Sequence, residues 1–417
     1  MKVLHLSSSD LNGGAARASM RLHQALLKIG IDSELWVDEK ISDLPTVFQP
    51  ESRLDRILTK IRPYLGQLPK FFSKKRERSF LSFALLPSKW VKRINRSNAD
   101  LVHLHWINRE MLSIRDISAI KKPIVWTFHD MWPFCGAEHY SENDDWETGY
   151  SVQVALPALS KNHVLDRWVW NRKNKYWCDN ITIVAPSKWL ADCTQRSPLT
   201  SKWQTKIIPN GLDTTSWTPI DRVAARQILK LPIDKKLILF GALGGHADKR
   251  KGFSLLRDAL EHLRESGNEY ELVIFGQSRP SQEVIQGFIT HYMGHLHDDA
   301  SLRLTYSAAN VMVVPSRQEV FGQTATEALA CGTPITAFNI GGLKDIVDHG
   351  NNGYLATPYD TLDLQKCIIQ AIALSRLQDS QTRVANSIRD KVLDTNVARL
   401  HENLYQRVIL NSCHPKS

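Results

Sequence analysis

Several patterns that define other classes of protein are missing from this 417-residue chain. No apolar run approaches the roughly 18 residues that a membrane-spanning helix requires. The opening Met1–Ser7 run is too short for the hydrophobic part of a secretory signal. The cysteines form no Cys-x-x-Cys pair and are scattered along the chain, at Cys135, Cys178, Cys193, Cys331, Cys367 and Cys413. We therefore expect a cytoplasmic globular protein with reduced thiols, without a disulfide framework or a zinc site.

Acidic residues are scarce in one segment, and this scarcity accounts for the net charge of +10. Arg53–Arg96 contains 13 Lys and Arg but only Asp55 and Glu77, a net of +11, so the rest of the chain carries −1. Aromatic and aliphatic residues are interleaved with these bases. Such a mixture suits an anionic membrane surface, a phosphate backbone, or an ordinary solvated helix face. We favour the membrane, with the protein peripheral on the inner face of the plasma membrane, and expect no nucleic acid partner.

Short apolar runs alternate with helical patterns over nearly the whole sequence. Lys2–Ser7 is predicted to be a buried strand and Ala15–Ile29 an amphipathic helix that ends at Gly30. The alternation restarts after Asn210-Gly211, in a stretch rich in turn-forming residues. This pattern predicts an α/β protein made of two doubly wound parallel-sheet domains, residues 1–210 and 211–394.

The most informative stretch is Val311–Phe338, in which an apolar strand is followed by a short loop and a helix. The loop carries Glu319, and the helix begins near Gly322 and contains Glu327. Ligands bind such sheets at the carboxyl ends of the strands, and a helix N-terminus offers N–H groups to an anion. Gly322 lets the backbone approach a phosphate, and Glu327 is suited to bind a vicinal diol such as a ribose. Taken singly, each glutamate is more often an ordinary surface residue.

In this context Glu319-x7-Glu327 resembles the signature of family 4 glycosyltransferases, which are retaining enzymes with the GT-B fold. Further likeness lies in Lys251-Gly252-Phe253, in Asn210-Gly211-Leu212-Asp213 and in the segment from Asn339 to Leu355. The resemblance implies two Rossmann-like domains facing a cleft. The first domain would bind the acceptor, with the C-terminal helix 395–417 packing back on it, and the second would bind a nucleotide-sugar.

The same resemblance assigns roles in donor binding. Glu327 would bind the ribose hydroxyls and Glu319 the hydroxyls of the donor sugar, while Lys251 would neutralise the diphosphate. The sugar and diphosphate would be lined by Val320, Phe321, Gly322 and Gln323. The family's second phosphate-binding cation usually lies six residues before that lysine, where this chain has Gly245. Arg250 is therefore the candidate replacement.

In the N-terminal half, Gly13-Gly14 joins the first strand to the first helix, where the family places a glycine loop near the donor phosphate. His129 ends a strand at the expected crevice, where family members place a catalytic histidine against the donor sugar. We expect Asp130 to orient that imidazole or to bind acceptor. His103-x-His105 and Asn108 follow another strand. His105 and Asn108 are acceptor-side candidates.

A metal site is not expected. No third ligand is near His103 and His105 in the sequence, and of the cysteines that related bacterial exopolysaccharide enzymes carry in the loop after Asp130 only Cys135 remains. The chain also lacks an Asp-x-Asp pair, which other glycosyltransferases use to hold a metal on the diphosphate. Cationic side chains and helix N-termini would stabilise the leaving diphosphate instead.

These observations predict a cytoplasmic retaining glycosyltransferase that needs no cofactor. It would transfer a sugar from a nucleotide-sugar to a polysaccharide or lipid-linked acceptor in cell-surface glycan synthesis. The alternatives are a non-catalytic GT-B protein with a binding or scaffold role, and a nucleic-acid binder that uses the basic segment.

Overall fold

The computed structural model describes residues 1–72, 80–151, 161–177, 181–241, 248–263, 269–280 and 287–413. The chain forms two compact units. The N-terminal unit comprises Met1–Gly211 together with Val397–Ser417, and the C-terminal unit comprises Leu212–Asn396. Among the helices in the described ranges, none is long and apolar enough to cross a membrane.

The N-terminal unit is built on a seven-stranded sheet with strand order β3-β2-β1-β4-β5-β6-β7, and all of its strand pairs are parallel. The central strands are buried along their whole length, as expected for a sheet covered on both faces. The strands are β1 (Lys2–Ser9), β2 (Asp32–Glu39), β3 (Val47–Phe48), β4 (Leu101–Leu104), β5 (Ile124–Thr127), β6 (Ile181–Ala185) and β7 (Thr205–Ile207).

Helices cover both faces of this sheet. On one face, residues of the first and last helices pack with Val3, Leu101, Val125 and Val184 of the strands. On the other face, Trp126 makes edge-to-face contact with Trp177 at a centroid distance of 5.4 Å. The helices are α1 (Gly14–Lys28), α2 (Arg53–Gly66), α3 (Trp90–Arg96), α4 (Ile114–Ser118), α5 (Lys161–Tyr176), α6 (Lys188–Arg196) and, at the end of the chain, α14 (Asp394–Cys413).

The C-terminal unit has a six-stranded sheet with order β10-β9-β8-β11-β12-β13, again with parallel pairs throughout. Two hydrophobic clusters pack on its opposite faces. The strands are β8 (Lys236–Gly241), β9 (Tyr270–Phe275), β10 (Thr290–Gly294), β11 (Val311–Val314), β12 (Ile335–Phe338) and β13 (Gly353–Ala356). The helices are α7 (Arg222–Leu229), α8 (Phe253–Glu261), α9 (Asp299–Ala308), α10 (Gln323–Ala330), α11 (Leu343–Ile346), α12 (Thr361–Ser375) and α13 (Ser380–Val392).

Each sheet has one point at which the strand order reverses. In the N-terminal unit the reversal lies between β1 and β4, and in the C-terminal unit it lies between β8 and β11. The loops that leave these strand pairs diverge to opposite faces of the sheet and open a crevice at the carboxyl ends, which is where doubly wound sheets bind ligands. The residues that follow β1, β4, β8 and β11 therefore border these crevices.

Candidate functional site

Two neighbouring cations follow β8 in the C-terminal unit. Asp248 begins a short 3-10 turn, Lys249–Lys251, and its carboxylate accepts a hydrogen bond from the Arg250 amide at 3.0 Å. Gly252 then adopts a left-handed conformation, φ 69°, and α8 begins. A Cβ at Gly252 would lie 1.8 Å from the carbonyl oxygen of Pro315, so only glycine lets this turn pack on the loop after β11.

Glu319 lies in that loop and pairs with both cations. Its Oε2 is 2.8 Å from Lys251 Nζ and 3.8 Å from a guanidinium nitrogen of Arg250, and it also accepts the hydroxyl of Ser316 at 3.2 Å. Burial would raise the pKa of Glu319, but Lys251 and Arg250 hold it below its usual value. The carboxylate is therefore ionised, and the adjacent side chains of Arg250 and Lys251 converge on one oxygen instead of diverging.

The loop that carries Glu319 is held against two glycines. The Gly342 amide donates to the Glu319 carbonyl oxygen at 2.8 Å. A Cβ at Gly341 would lie 2.2 Å from that carbonyl oxygen, and one at Gly342 would lie 2.2 Å from the carbonyl oxygen of Val320. These close approaches explain why the Gly-Gly pair follows the Glu319 motif, since larger residues would displace the loop.

Helix α10 begins directly after this loop. Gly322 precedes it with φ 96°, and no side chain of the described residues caps its N-terminus. The side chains of Val320 and Phe321 are buried, and Phe321 belongs to the unit's hydrophobic core. Val320 and Phe321 could therefore contact a ligand only through their backbone. The side chain of Gln323 is part-exposed and could contact a ligand directly.

Glu327 lies one turn further along α10 and is only 5% exposed. Its Oε2 accepts a hydrogen bond from the hydroxyl of Tyr306 at 2.8 Å. Tyr306 is held in turn through its carbonyl oxygen, which accepts from Thr333 at 2.6 Å. A ribose would reach Glu327 only at the small exposed edge of the side chain, and its role in binding the diol stays a prediction.

In the N-terminal unit, Gly13 precedes α1 with φ 98° and ψ 169°. The first turn of α1 contains no acidic residue, and no described side chain caps it. Any residue other than glycine would be strained at this positive φ. The sharp turn from β1 into α1 therefore explains why position 13 is a glycine. The predicted role of Gly13 and Gly14 beside a donor phosphate stays a prediction.

His129, just after β5, is the outer member of a chain of imidazoles. Its Nε2 lies 3.1 Å from Nδ1 of His105, and Nε2 of His105 lies 2.9 Å from Nδ1 of His5. Burial lowers the pKa of His129 to about 4 and lowers the pKa values of His105 and His5 well below the usual value. These side chains are neutral near pH 7. His129 and His105 also line a small pocket with His401 of α14.

Asp130 does not orient His129, contrary to one of the two roles expected for it. Its carboxylate accepts hydrogen bonds from His139 Nδ1 at 2.5 Å, from Trp106 Nε1 at 2.7 Å and from the Trp132 amide at 3.0 Å. Burial alone would raise its pKa, but His139 and these donors keep it low. Asp130 thus fixes the aromatic loop after β5, and its predicted contact with acceptor is untested.

Lys173 of α5 is a buried cation that sequence reasoning missed. Its ammonium donates to the carbonyl oxygens of Trp132, Cys135 and Gly136, the last two at 3.0 and 2.8 Å. It also lies 3.8 Å from the centroid of the Trp132 ring. Burial lowers its pKa to about 7. The ammonium uses all three of its donors to shape the loop around Cys135.

The structure adds a third histidine to the pair that the sequence singled out. His5, His103 and His105 form the one group of three His, Cys, Asp or Glu side chains within the described ranges whose ligand atoms lie within 4.8 Å of one another. His103 is bonded at both nitrogens, to the hydroxyls of Tyr405 and Thr127, each at 2.7 Å. The signal that reveals His5 is its register opposite His103 in the paired strands β1 and β4.

Asn108 and the four cysteines whose side chains the structure describes lie away from solvent. Asn108 is 4% exposed, and its side-chain oxygen has no hydrogen-bond partner among the described residues. It is therefore an acceptor-side candidate only if the loop after β4 rearranges. Four of the cysteines are buried and free, namely Cys135, Cys193, Cys331 and Cys367, while Cys178 and the side chain of Cys413 lie outside the described residues.

Comparison with known proteins shows which family models and which relatives the chain matches. Residues 12–216 match the model described as Glycosyltransferase Family 4, and residues 221–390 match that of Glycosyl transferases group 1. A D-inositol 3-phosphate glycosyltransferase of Xylanimonas cellulosilytica is 37% identical over 172 residues, which cover 37% of this chain and 40% of the relative. A phosphatidyl-myo-inositol mannosyltransferase of Mycobacterium leprae is 27% identical over 321 residues, covering 73% of this chain and 74% of the relative. The chain thus spans about two fifths of the length of the first of these curated relatives.

Solved structures share the fold over nearly the whole chain. Sucrose-phosphate synthase from Thermosynechococcus elongatus superimposes with a TM-score of 0.65 at 19% identity, covering 98% of this chain and all of that structure. HepE from Anabaena, solved with UDP and glucose, has a TM-score of 0.61 at 18% identity, covering 97% of this chain and 100% of that one. The architecture is the GT-B fold, and both matched family models describe glycosyltransferases.

Within that class, the two matched models together account for most of the sequence. The chain belongs to the family 4 glycosyltransferases, as the Glu319-x7-Glu327 motif indicates.

Proposed function

We propose that the chain transfers a sugar from a nucleotide-sugar, with retention of anomeric configuration, to a glycan or lipid-linked acceptor of the cell surface. The observation that carries this proposal is the convergence of Lys251 and Arg250 on the Glu319 carboxylate in the loop that leads into the N-terminus of α10. A carboxylate that accepts from sugar hydroxyls, two cations and a helix N-terminus match the parts of a nucleotide-sugar.

Lys251 is the main ligand proposed for the diphosphate. Its ammonium has three N–H donors, and one of them bonds Glu319 within the described part of the chain. The others are available to phosphate oxygens as negative charge develops on the leaving group. Glu319 orients the ammonium at the same time as it accepts from the sugar, and Arg250 adds positive charge beside it. This is electrostatic stabilisation by fixed groups, with no metal or other cofactor in the proposal.

The route proposed for retention is attack on the face that the diphosphate leaves. A leaving-phosphate oxygen accepts the proton of the acceptor hydroxyl, the new glycosidic bond forms, and the diphosphate leaves with its electron pair. Glu319 is not the nucleophile in this scheme, because its carboxylate is bonded to Lys251 and assigned to the sugar hydroxyls.

A thermal-shift screen of nucleotide-sugars, followed by a transfer assay, tests the proposal. A donor at a hundred times its dissociation constant adds about 2.7 kcal/mol to the free energy of unfolding. The anomeric configuration of the product, determined by proton NMR, should match that of the donor. An inverted product would contradict retention, and no stabilisation by any nucleotide-sugar would favour the non-catalytic alternative.

The membrane partner is also a proposal, and it rests on the outer surface of α2. Five apolar residues of this helix are between 43% and 74% exposed and form what we call the α2 apolar face: Leu54, Ile57, Leu58, Ile61 and Leu65. They follow helical spacing, so they lie on one side. On the inner side, Arg62 donates to the carbonyl oxygens of Glu110, Leu86 and Pro87 and fixes the helix to its unit.

A basic stripe borders the α2 apolar face. Arg53, Arg56 and Lys60 are exposed and have the same spacing as Leu54, Ile57 and Ile61, displaced by one residue. An apolar stripe next to a basic one is the arrangement of helices that lie in the interface of an anionic membrane. Four further bases of the segment, Lys74, Lys75, Arg76 and Arg78, lie outside the described residues.

Sedimentation with phosphatidylglycerol vesicles tests this partner. The triple variant Leu54→Ser, Ile57→Ser, Ile61→Ser should lose most of the binding, and wild-type binding should weaken with salt. The matched control replaces three exposed apolar residues of the C-terminal unit: Val223→Ser, Ile228→Ser and Leu377→Ser. Equal binding to anionic and neutral vesicles would contradict an anionic partner, and equal loss in both variants would contradict the role of the α2 apolar face.

A further inference from the structure

The histidines beside the N-terminal crevice form a hydrogen-bonded chain whose direction can be worked out. His129 Nε2 faces His105 Nδ1 at 3.1 Å, and His105 Nε2 faces His5 Nδ1 at 2.9 Å. Each nitrogen–nitrogen bond needs one N–H and one lone pair. A neutral imidazole has one of each, so His105, which uses both nitrogens, must donate on one side and accept on the other.

Only two proton arrangements satisfy both bonds. In the inward arrangement, His129 donates from Nε2 to His105, which donates from Nε2 to His5, and His5 must then carry its own proton on Nε2. In the outward arrangement, His5 donates from Nδ1 to His105, and His105 donates from Nδ1 to His129. His129 then carries its own proton on Nδ1, the nitrogen that makes no hydrogen bond to another described residue.

The inner end of the chain decides between them. His5 Nε2 is buried and has no partner among the described residues. The inward arrangement would leave a buried N–H donor at His5 Nε2 without an acceptor, whereas the outward arrangement leaves only a lone pair at that nitrogen. Buried N–H groups without an acceptor are rarer in proteins than acceptors that lack a donor, so the outward arrangement is favoured.

The surroundings keep the chain neutral. The His103 ring packs on His5 and His105 at centroid distances of 5.0 and 4.2 Å, His23 of α1 packs on His5 at 6.2 Å, and His401 of α14 packs on His103 at 5.3 Å. Tyr405 bonds His103. Within the described part of the chain, the one carboxylate that acts on His129 is Asp130, whose bonds go to His139, Trp106 and Trp132. An imidazolium in this cluster would face other imidazoles with no bonded counter-ion.

We infer that His105 is a positioning residue which, with His5 behind it, fixes the tautomer of His129 so that His129 presents a neutral Nδ1–H donor to the crevice. This inference rests on the proposed function for the nature of the ligand. A neutral donor suits an uncharged oxygen, such as a hydroxyl of the transferred sugar. The tautomer itself is a property of the protein alone.

Long-range 1H–15N spectra of the histidine-labelled full chain at pH 7.5, without donor, test the inference. Signals are assigned with His129→Gln and with His105→Phe, the variant that removes both nitrogens of the middle ring. In the wild type, His129 and His105 should each be protonated on Nδ1, with the other tautomer roughly tenfold less populated. In His105→Phe, His129 should revert toward Nε2–H, the tautomer that free histidine prefers.

Two further variants separate positioning from a general effect on packing. His105→Gln keeps an amide N–H that can donate to His129 Nε2, so it should restore part of the Nδ1–H population. His23→Gln is the matched control, because His23 is buried in the same cluster but its ring nitrogens bond, among the described residues, the hydroxyls of Ser33 and Thr46 and no other imidazole. It should leave the His129 tautomer unchanged.

Several results would overturn the inference. These are an Nε2–H tautomer or an imidazolium at His129 in the wild type, an unchanged tautomer in His105→Phe, and saturable displacement of the His5, His103 and His105 signals by equimolar Zn²⁺, which would make the group a metal site instead. A wild type with the expected tautomer that binds no nucleotide-sugar would contradict the proposed function and leave the tautomer assignment intact.

Discussion

The crevices of the two units have opposite electrostatic character although both lie at the reversal point of a parallel sheet. In the N-terminal unit the polar groups are the buried neutral imidazoles of His5, His105 and His129. In the C-terminal unit they are the ionised Glu319 and its partners Lys251 and Arg250. The same backbone topology therefore supports either kind of site, and the side chains after the strands determine which.

The difference follows from how each charge is compensated. Glu319 keeps its charge despite burial because two cations lie beside it. His129 loses its charge because burial lowers its pKa, and among the described groups only the charge of Asp130, which makes no hydrogen bond to it, opposes that shift. A site of ion pairs is suited to a charged diphosphate. A site of neutral donors and acceptors is suited to sugar hydroxyls.

The largest expected effect comes from removing the anion of the C-terminal site. Glu319→Gln should reduce the rate of transfer at least about a hundredfold, comparable to the loss of one preorganised donor in other active sites. The reason is that Lys251 loses its orienting partner while the sugar loses a charged acceptor. Steady-state kinetics measures the effect. The control is Glu261→Gln, an exposed glutamate on α8, and a similar loss in both variants would contradict the assignment.

The next effect concerns the nucleotide. Glu327→Ala should weaken binding of the nucleoside diphosphate roughly 10- to 150-fold, because a hydrogen bond to a charged group contributes about 1.5–3 kcal/mol. Tyr306→Phe is the informative companion, since it removes the hydroxyl that bonds Glu327 but keeps the carboxylate. Calorimetric titration should show a smaller loss for Tyr306→Phe. Equal affinity in Glu327→Ala and wild type would show that the residue is purely structural.

Lowering the pH should destabilise the N-terminal unit before the C-terminal unit. The pKa values of His23 and His129 are lowered to about 4 by burial, and that of His401 to about 3. In the unfolded chain these histidines have a pKa of about 6.5, so below that pH they bind protons in the unfolded state but not in the folded unit. The stability of the unit is therefore fully present above pH 6.5 and is lost as the pH falls toward 4. Each such histidine costs about 1.4 kcal/mol per pH unit, roughly tenfold in the opening constant.

Hydrogen exchange followed by mass spectrometry measures the loss of stability with falling pH separately for each unit. Between pH 6.5 and 5, peptides of β1, β4 and β5 should lose protection, after correction for the intrinsic rate, more than peptides of β8 and β11. The lowered carboxyl pKa of Glu319 affects the C-terminal unit only at more acidic pH, below the usual value of that group. Equal losses in the two units would contradict the contrast between them.

The smallest expected effect is that of chelation. Transfer should be unchanged in EDTA, because the proposed ligands of the diphosphate are cationic side chains and backbone N–H groups. Loss of activity that a divalent cation restores would show that a metal has been missed, and the histidine group at β1 and β4 would then be the first place to look.

The sheets were largely predictable from the sequence. The apolar run Lys2–Ser7 and the apolar strand that opens the stretch Val311–Phe338 identified strands now found at Lys2–Ser9 and Val311–Val314. Helix α13, Ser380–Val392, was missed because its apolar positions are few and widely spaced among polar residues. Helix α2 was noticed only as a basic segment, because an exposed apolar face looks in the sequence like an ordinary core-facing one.

The site was predictable where its residues are close in the sequence. Glu319, Gly322 and Glu327 share one strand-loop-helix unit, and Lys251 lies at the neighbouring turn. The contact of His5 with His105 could not be read from spacing, because 100 residues separate them. Lys173 gave no signal either, since a lysine in a helix is usually solvated and only the packing of the loop around Trp132 buries it.

The central claim is that Lys251 holds the diphosphate of a nucleotide-sugar, and calorimetric titration of the best-stabilising nucleoside diphosphate tests it most directly. Lys251→Ala should weaken binding roughly 10- to 150-fold, as expected for a charge-assisted hydrogen bond. Lys249→Ala, an exposed lysine in the same 3-10 turn, should bind like wild type. Equal affinities for the wild type and Lys251→Ala, or the same loss in both variants, would contradict the account.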